Sequence, residues 1–255
     1  MDSKIALTLF NLRDYCKTEE DLAATLNKIY KIGYRQVQVS GVSLDPVIIR
    51  KQLDDHGIKC IGTHEGFISV QEPNRLIDKL GILGCDFAAL GMMPKEYHNS
   101  EEGFEEFVKI MDAGCKTLAD NGVKFAYHNH HFEFAKMANK KTLLENLYER
   151  IDSSRLLVEL DVHWITRGGG SPATWIRKYA DRMPVIHFKD FVYYEGNPTF
   201  CEVGEGNLDW QEILKACDEA GVKIYVVEQD LPFGERDIFE SMKISFDNMI
   251  KMGIK

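Results

Sequence analysis

At 255 residues and 44% hydrophobic content, the chain is long enough to bury one large core. A formal charge of −9 argues against broad phosphate-backbone binding, which needs clustered Lys and Arg, so nucleic acid is not an expected partner. No apolar run approaches the ~18 residues of a membrane span, and Met1-Asp2-Ser3-Lys4 does not resemble a secretory leader, although one could have been removed.

Strand-like and helix-like segments alternate along the chain. Lys4 to Phe10 reads as a first strand, and Thr18-Glu-Glu-Asp as the capped start of a helix that runs to Lys31 and ends at Gly33. Val37 to Ser40 is a second strand, and Asp45-Pro46 opens a helix with proline at its first position. Lys59 to His64 is a third strand, Asn74 to Leu83 a helix stopped by Gly84, and Asp86 to Leu90 a fourth strand. Glu101 to Asp120 has long helical periodicity and ends at Asn121-Gly122. Val123 to Tyr127 is a fifth strand, followed by a helix from Thr142 to Ile151. Arg155 to Leu160 is a sixth strand, and the loop Gly168-Gly169-Gly170 precedes a helix from Pro172 to Tyr179. Met183 to Phe188, Leu208 to Ala220, Lys223 to Val227 and Arg236 to Met252 complete the alternation as strand, helix, strand and helix. Eight strand–helix units in one uninterrupted run predict an α/β fold of the (β/α)8 TIM barrel type, one domain over residues 1–255. The six cysteines are scattered with no Cys-x-x-Cys pair, as expected for free thiols in a reducing compartment such as the cytoplasm.

In such a barrel the chemistry sits at the C-terminal strand ends. Here those ends carry His64, then His128 and His130, Asp161, His187 and Glu228. Residues two apart on a strand share a face, so Ala126, His128 and His130 should point the same way. Each of these residues alone has a bland explanation: Asp161 as a turn residue, His187 as a satisfied core histidine. Together, an Asp, a His and a Glu from three consecutive strands form a mixed nitrogen and oxygen set. Such a set suits Mn²⁺, Co²⁺, Zn²⁺ or Fe²⁺, and Mg²⁺ less well.

At the motif level the chain resembles the xylose isomerase-like barrels, also described as sugar phosphate isomerases/epimerases. The resemblance rests on Tyr-His-Asn-His-His-Phe-Glu-Phe (127–134), Glu-Leu-Asp-Val-His-Trp (159–164), His-Phe-Lys-Asp (187–190), Val-Gly-Glu-Gly-Asn-Leu-Asp-Trp (203–210) and Val-Glu-Gln-Asp (227–230). It implies a divalent metal with Asp161, His187 and Glu228 at ligand positions. His128 falls where many members have a glutamate, and strand alternation favours it as the fourth ligand. Glu133, five residues on, is the competing carboxylate.

The chemistry then expected is proton removal next to a carbonyl of a keto-sugar or related polyol, giving isomerisation or epimerisation through an enediolate. Glu133 and His130 are the candidate proton carriers, and His64, Trp164 and Lys189 the candidate substrate contacts. Lys189 could equally be a surface lysine, and Trp164 core. The branch also resembles inosose dehydratases and 3-keto-glycoside epimerases or lyases, which would add β-elimination; a non-catalytic sugar-binding barrel is the remaining alternative. Gly168-Gly169-Gly170-Ser171 could cradle a phosphate, but an unphosphorylated substrate fits the sequence better. A homo-oligomer is compatible with all of this.

Overall fold

The structure is a computed structural model that describes residues 3–254. Eight parallel strands close into a barrel: β1 (Ile5–Thr8), β2 (Gln36–Val39), β3 (Lys59–Glu65), β4 (Phe87–Leu90), β5 (Lys124–His128), β6 (Leu157–Asp161), β7 (Val185–Phe188) and, last in the chain, β10 (Ile224–Val227). Two further strands, β8 (Asp190–Tyr194) and β9 (Asn197–Cys201), form an antiparallel hairpin outside it. Helices follow the strands and pack their apolar faces on the outside of the barrel, where Leu90, Tyr127, Val158, Leu160, Ile186 and Phe188 are buried.

Alternation along each strand sends the neighbouring residues inward. The lower interior is filled by Ala6, Ile61, Phe87, Ala89, Ala126, Val185 and Val226, an apolar cluster separate from the outer one. Pairing carries this layer around the barrel, with Ala89 beside Ala126, Ala126 beside Leu157 and Glu159 beside Val185. Two residues further along, the same strands present His128, Asp161, His187 and Glu228. A register shift opposite Val37 and Gln38 lets β3 accommodate an extra residue near Ile61. It places both Ile61 and His64 inside although they are three apart, and His64 pairs with inward-facing Ala89.

Four of the differences between predicted and observed elements have a clear local cause or bear on the site. The first strand stops at Thr8, not Phe10, because a 3-10 helix begins at Leu9 with the Thr8 hydroxyl accepting from Phe10 N. A short helix, Val162–Arg167, starts directly off β6. The segment after β7 holds the hairpin, whose turn at Glu195-Gly196 has both φ angles positive (49° and 79°), as a two-residue turn of right-twisted strands requires. The closing helix starts at Ile238, capped by the Asp237 carboxylate, not at Arg236.

Two glycine motifs have packing explanations. A Cβ on Gly168 would lie 2.4 Å from Phe134 Cδ2 and one on Gly170 2.8 Å from Phe134 Cε1, so the triple-glycine loop admits the Phe134 ring. The Val-Gly-Glu-Gly segment wraps Asp190, whose Oδ2 accepts from Gly204 N, Gly206 N and Trp210 Nε1 at 3.0, 3.1 and 2.6 Å.

Candidate metal centre

Four strands bring four donors together. One donor atom each from His128 (β5), Asp161 (β6), His187 (β7) and Glu228 (just past β10) lies within 4.8 Å of the others, and all four residues are buried. His128, His187 and Glu228 are delivered by strand alternation from the apolar layer beneath, and Asp161 lies two residues past Glu159. Asp161 is held twice: its backbone N–H donates to Asn129 Oδ1 at 3.1 Å, and its Oδ1 accepts from Trp164 N at 3.1 Å, capping the short helix.

Its other oxygen, Oδ2, is buried with no hydrogen-bond partner among the described residues; His128 Nε2 is 4.0 Å away. A buried, unpartnered carboxylate oxygen is costly unless a cation or a proton neutralises it. Burial pushes the Asp161 carboxyl up to about 8, the Lys189 charge opposing and Glu228 reinforcing the shift. Burial also pushes the His128 imidazole down to about 4, which keeps its ring neutral and its lone pair available. At His187 burial works in the same downward direction, but the Glu159 and Glu228 carboxylates outweigh it and raise the ring to about 10. Two carboxylates and two imidazoles around one unsatisfied oxygen fit a divalent transition ion, and the group could hold one.

Above the donors opens a cavity of about 410 Å³, lined by Phe10, Ser40, His64, Glu65, Met92, His128, His130 and Glu228 together with three glycines. His130, past the end of β5, presents its ring to it, 5.3 Å from the His128 ring and 5.3 Å from that of Trp164. Burial pushes the His130 ring down to about 2, and its Nδ1 has no partner among the described residues. His64 forms the opposite wall and stacks on His187.

The other candidate residues are placed differently. Glu133 is fully buried behind β5, because the 3-10 turn Phe132–Phe134 swings it to the outer face. Its oxygens accept from Tyr127 Oη at 2.6 Å and from His130 N at 2.8 Å, and burial raises its carboxyl to about 7. The structure therefore does not bring Glu133 to the four donors. Lys189 is buried rather than on the surface: its ammonium bonds Glu228 Oε1 at 3.0 Å and Asp230 at 2.9 Å, and lies 4.7 Å from the Trp164 ring centroid. It is not among the residues lining the cavity. Trp164 covers Lys189 and His130, and its indole N–H has no partner among the described residues.

Sequence reasoning passed over three participants. Glu159, Gln38 and Asp230 all touch the group, through His187, His187 and Lys189 respectively. For Glu159 the signal was available: it lies two residues before Asp161 and so shares its face. Gln38 carried none, since the alternating Gln-Val-Gln-Val of β2 resembles a half-exposed strand.

The closed parallel barrel with its polar donor group at the C-terminal strand ends defines the class, a (β/α)8 barrel with a site at its mouth. The sequence profile of the xylose isomerase-like TIM barrel family matches residues 26–244, and the chain belongs to that family. An inosose dehydratase of Clostridium beijerinckii is 25% identical over 158 residues, 53% of this chain and 50% of that protein. The chain thus spans about half the length of the curated relatives it matches. A sugar phosphate isomerase/epimerase of Parabacteroides distasonis superposes with a TM-score of 0.82 at 22% identity, covering 98% of each chain. An L-ribulose 3-epimerase superposes at 0.76 and 14% identity, over 99% of this chain and 95% of the other. At those identities the superpositions establish the fold. Among the described residues no helix is long and apolar enough to cross a membrane.

Proposed function

We propose that this protein is a divalent-metal-dependent sugar isomerase or epimerase acting on a keto-sugar or related polyol by proton abstraction next to the carbonyl. The observation that carries the reading is the unpartnered Asp161 Oδ2, buried among His128, His187 and Glu228 at the floor of an open cavity. In this reading those four residues hold the ion: Mn²⁺, Co²⁺, Zn²⁺ or Fe²⁺ by donor type, and Mg²⁺ less readily. When bound, the ion supplies a Lewis acid for a substrate carbonyl.

The chain's own residues do the rest. Neither Lys nor Arg lines the cavity, and the Lys189 and Lys79 ammonium groups are engaged by Glu228 with Asp230 and by Glu65. The Arg13 guanidinium beside the cavity is turned onto the Phe10 ring and bonds the Phe10 carbonyl, so the substrate favoured is unphosphorylated. Phe10 and Met92 offer it an apolar edge, while His64, Ser40 and Glu65 offer hydroxyl partners. Trp164 walls the side beyond His130. Lys189 acts on substrate indirectly, by neutralising Glu228.

Proton handling is assigned to His130, with Glu133 positioning it from behind. His130 has the position, with a neutral ring facing the cavity; Glu133 has a carboxyl raised to about 7 and grips the His130 backbone from behind. The setting is a reducing cytoplasm, in keeping with six cysteines that are all free.

Elimination is the second reading, favoured by the inosose dehydratase relative. Expelling water from the carbon beyond the one deprotonated needs the same ion and base plus an acid for the leaving hydroxyl. Incubating the metal-loaded protein in D₂O with a panel of unphosphorylated keto-sugars and inososes tests both. Deuterium next to the carbonyl of recovered sugar supports isomerisation or epimerisation; an unsaturated or diketone product supports elimination. Neither result from any compound would favour a sugar-binding barrel without catalysis.

A further inference from the structure

Beneath the four donors lies a second convergence, centred on Glu159. This carboxylate is fully buried and receives side chains from four other strands. Gln38 Nε2 (β2) donates to its Oε2 at 2.8 Å, and His64 Nε2 (β3) bonds its Oε1. His187 Nε2 (β7) is 3.2 Å from Oε1, and His128 Nδ1 (β5), without a hydrogen-bond partner among the described residues, has the same oxygen 3.4 Å away. Gln38 turns its own carbonyl oxygen to His187 Nε2 at 2.9 Å.

His128 and His187 therefore each have one nitrogen facing Glu159 and the other facing the donors above. His128 Nε2 looks to Asp161, and His187 Nδ1 contacts Glu228 Oε2. An imidazole can present only one lone pair while neutral, and the acceptor bound to its other nitrogen decides which one. Glu159, joined at His187 by the Gln38 carbonyl oxygen, favours a proton on His128 Nδ1 and His187 Nε2, while a proton on His187 Nδ1 toward Glu228 would be given up to a bound metal.

His64, His128, Glu159 and His187 also sit close enough to hold an ion themselves. The partners argue against that use. Both Glu159 oxygens already receive N–H donors, whereas Asp161 Oδ2 receives none. An ion below would also need the lone pairs of His128 Nδ1 and His187 Nε2, the opposite tautomer of both rings.

We propose that Glu159 is a positioning residue: it orients the His128 and His187 rings and keeps the proton on the nitrogens facing away from Asp161 and Glu228, leaving the other lone pairs free for a metal. The inference rests on the metal reading above. Its effect is on affinity, since outer partners of metal-bound histidines typically contribute roughly 10–100-fold.

The test is zinc binding by the full chain, read by equilibrium affinity, by stoichiometry and by ¹⁵N NMR of the ring nitrogens. In zinc-loaded wild type, His187 Nδ1 and His128 Nε2 should be metal-bound and the other two nitrogens protonated. Glu159→Ala should bind one zinc per chain some 10–100-fold more weakly. Glu159→Gln, nearly isosteric and still able to accept from the ring N–H groups, should restore most of the loss. Metal on His187 Nε2 or His128 Nδ1, or a Glu159→Ala affinity equal to wild type, overturns the proposal while leaving the metal reading intact. So would loss of one of two bound ions in Glu159→Gln, which would make Glu159 a ligand. A wild type that binds no zinc overturns the metal reading itself, and the proposal with it. The wild-type ring signals need no variant, so a misfolded Glu159→Ala leaves the test decisive.

Discussion

The barrel interior is two regions built from the same strands and separated by two residues. Below, Ala6, Ile61, Phe87, Ala89, Ala126, Val185 and Val226 are packed as an apolar plug. Above, Ala126 gives way to His128, Val185 to His187 and Val226 to Glu228, while β6 contributes Glu159 and then Asp161. The lower layer is apolar except where Gln36, sharing the face of Gln38, bonds the Ser3 carbonyl, and it contributes by area and close packing. The upper one concentrates buried charge, leaves Asp161 Oδ2 unpartnered and opens to a cavity. One strand face can therefore serve as scaffold and as chemistry, because the plug holds the strand ends in the register the donors need.

That division can be attacked from either side. The largest expected effect is at the upper layer. Asp161→Ala or Glu228→Ala removes an anionic donor, and turnover should fall by three or more orders of magnitude, above about 4 kcal/mol in barrier, together with metal content. Metal analysis and steady-state rates on the same preparations check this, and full metal with full turnover would remove that residue from the ligand set.

The next effect is at the plug. Phe87→Ala should cost about 3–5 kcal/mol of stability in urea unfolding, as large-to-small changes in packed cores do. Asp161→Asn should have the opposite sign in the metal-free protein, because it removes a buried carboxylate that burial disfavours. If both destabilised alike, the upper layer would be structural and the comparison would fail.

A smaller effect concerns Glu133, which belongs to neither layer. Its carboxyl is raised from 4.5 to about 7 by burial, against the Tyr127 hydrogen bond. A raised folded-state value means the contribution to stability is fully present below about pH 4.5 and is lost as pH climbs through about 7. The 2.5-unit difference amounts to about 3 kcal/mol. Glu133→Gln should lack that slope, so its stability relative to wild type should improve by about that amount between pH 4.5 and 8 in urea titrations. A difference that stays flat with pH would mean that Glu133 titrates as an ordinary surface glutamate.

The fold was readable because β strands, helix caps and glycine stops recur with one rhythm: Thr18 caps the first helix through Asp21, and Gly84 closes its helix in the left-handed conformation. His128, Asp161, His187 and Glu228 were readable for the same reason, each following directly on an apolar strand. The hairpin escaped because its pattern lies in a segment read only as the loop between a strand and a helix. Glu133 escaped for a different reason. Alternation holds along β5, but the chain leaves the sheet after His128, and a 3-10 turn rather than a pleat sets the direction of the side chains that follow. Lys189 obeyed alternation, yet nothing local announced the Glu228 and Asp230 carboxylates that bury its charge, since both come from the next barrel strand's end.

The central claim is that the upper layer holds a divalent ion, and anomalous diffraction from a cobalt-loaded crystal tests it most directly. The account predicts one peak per chain at the C-terminal end of the barrel, ~2.0–2.2 Å from one donor atom each of His128, Asp161, His187 and Glu228. No peak there, or a peak bonded to Glu159 and His64 instead, would contradict it.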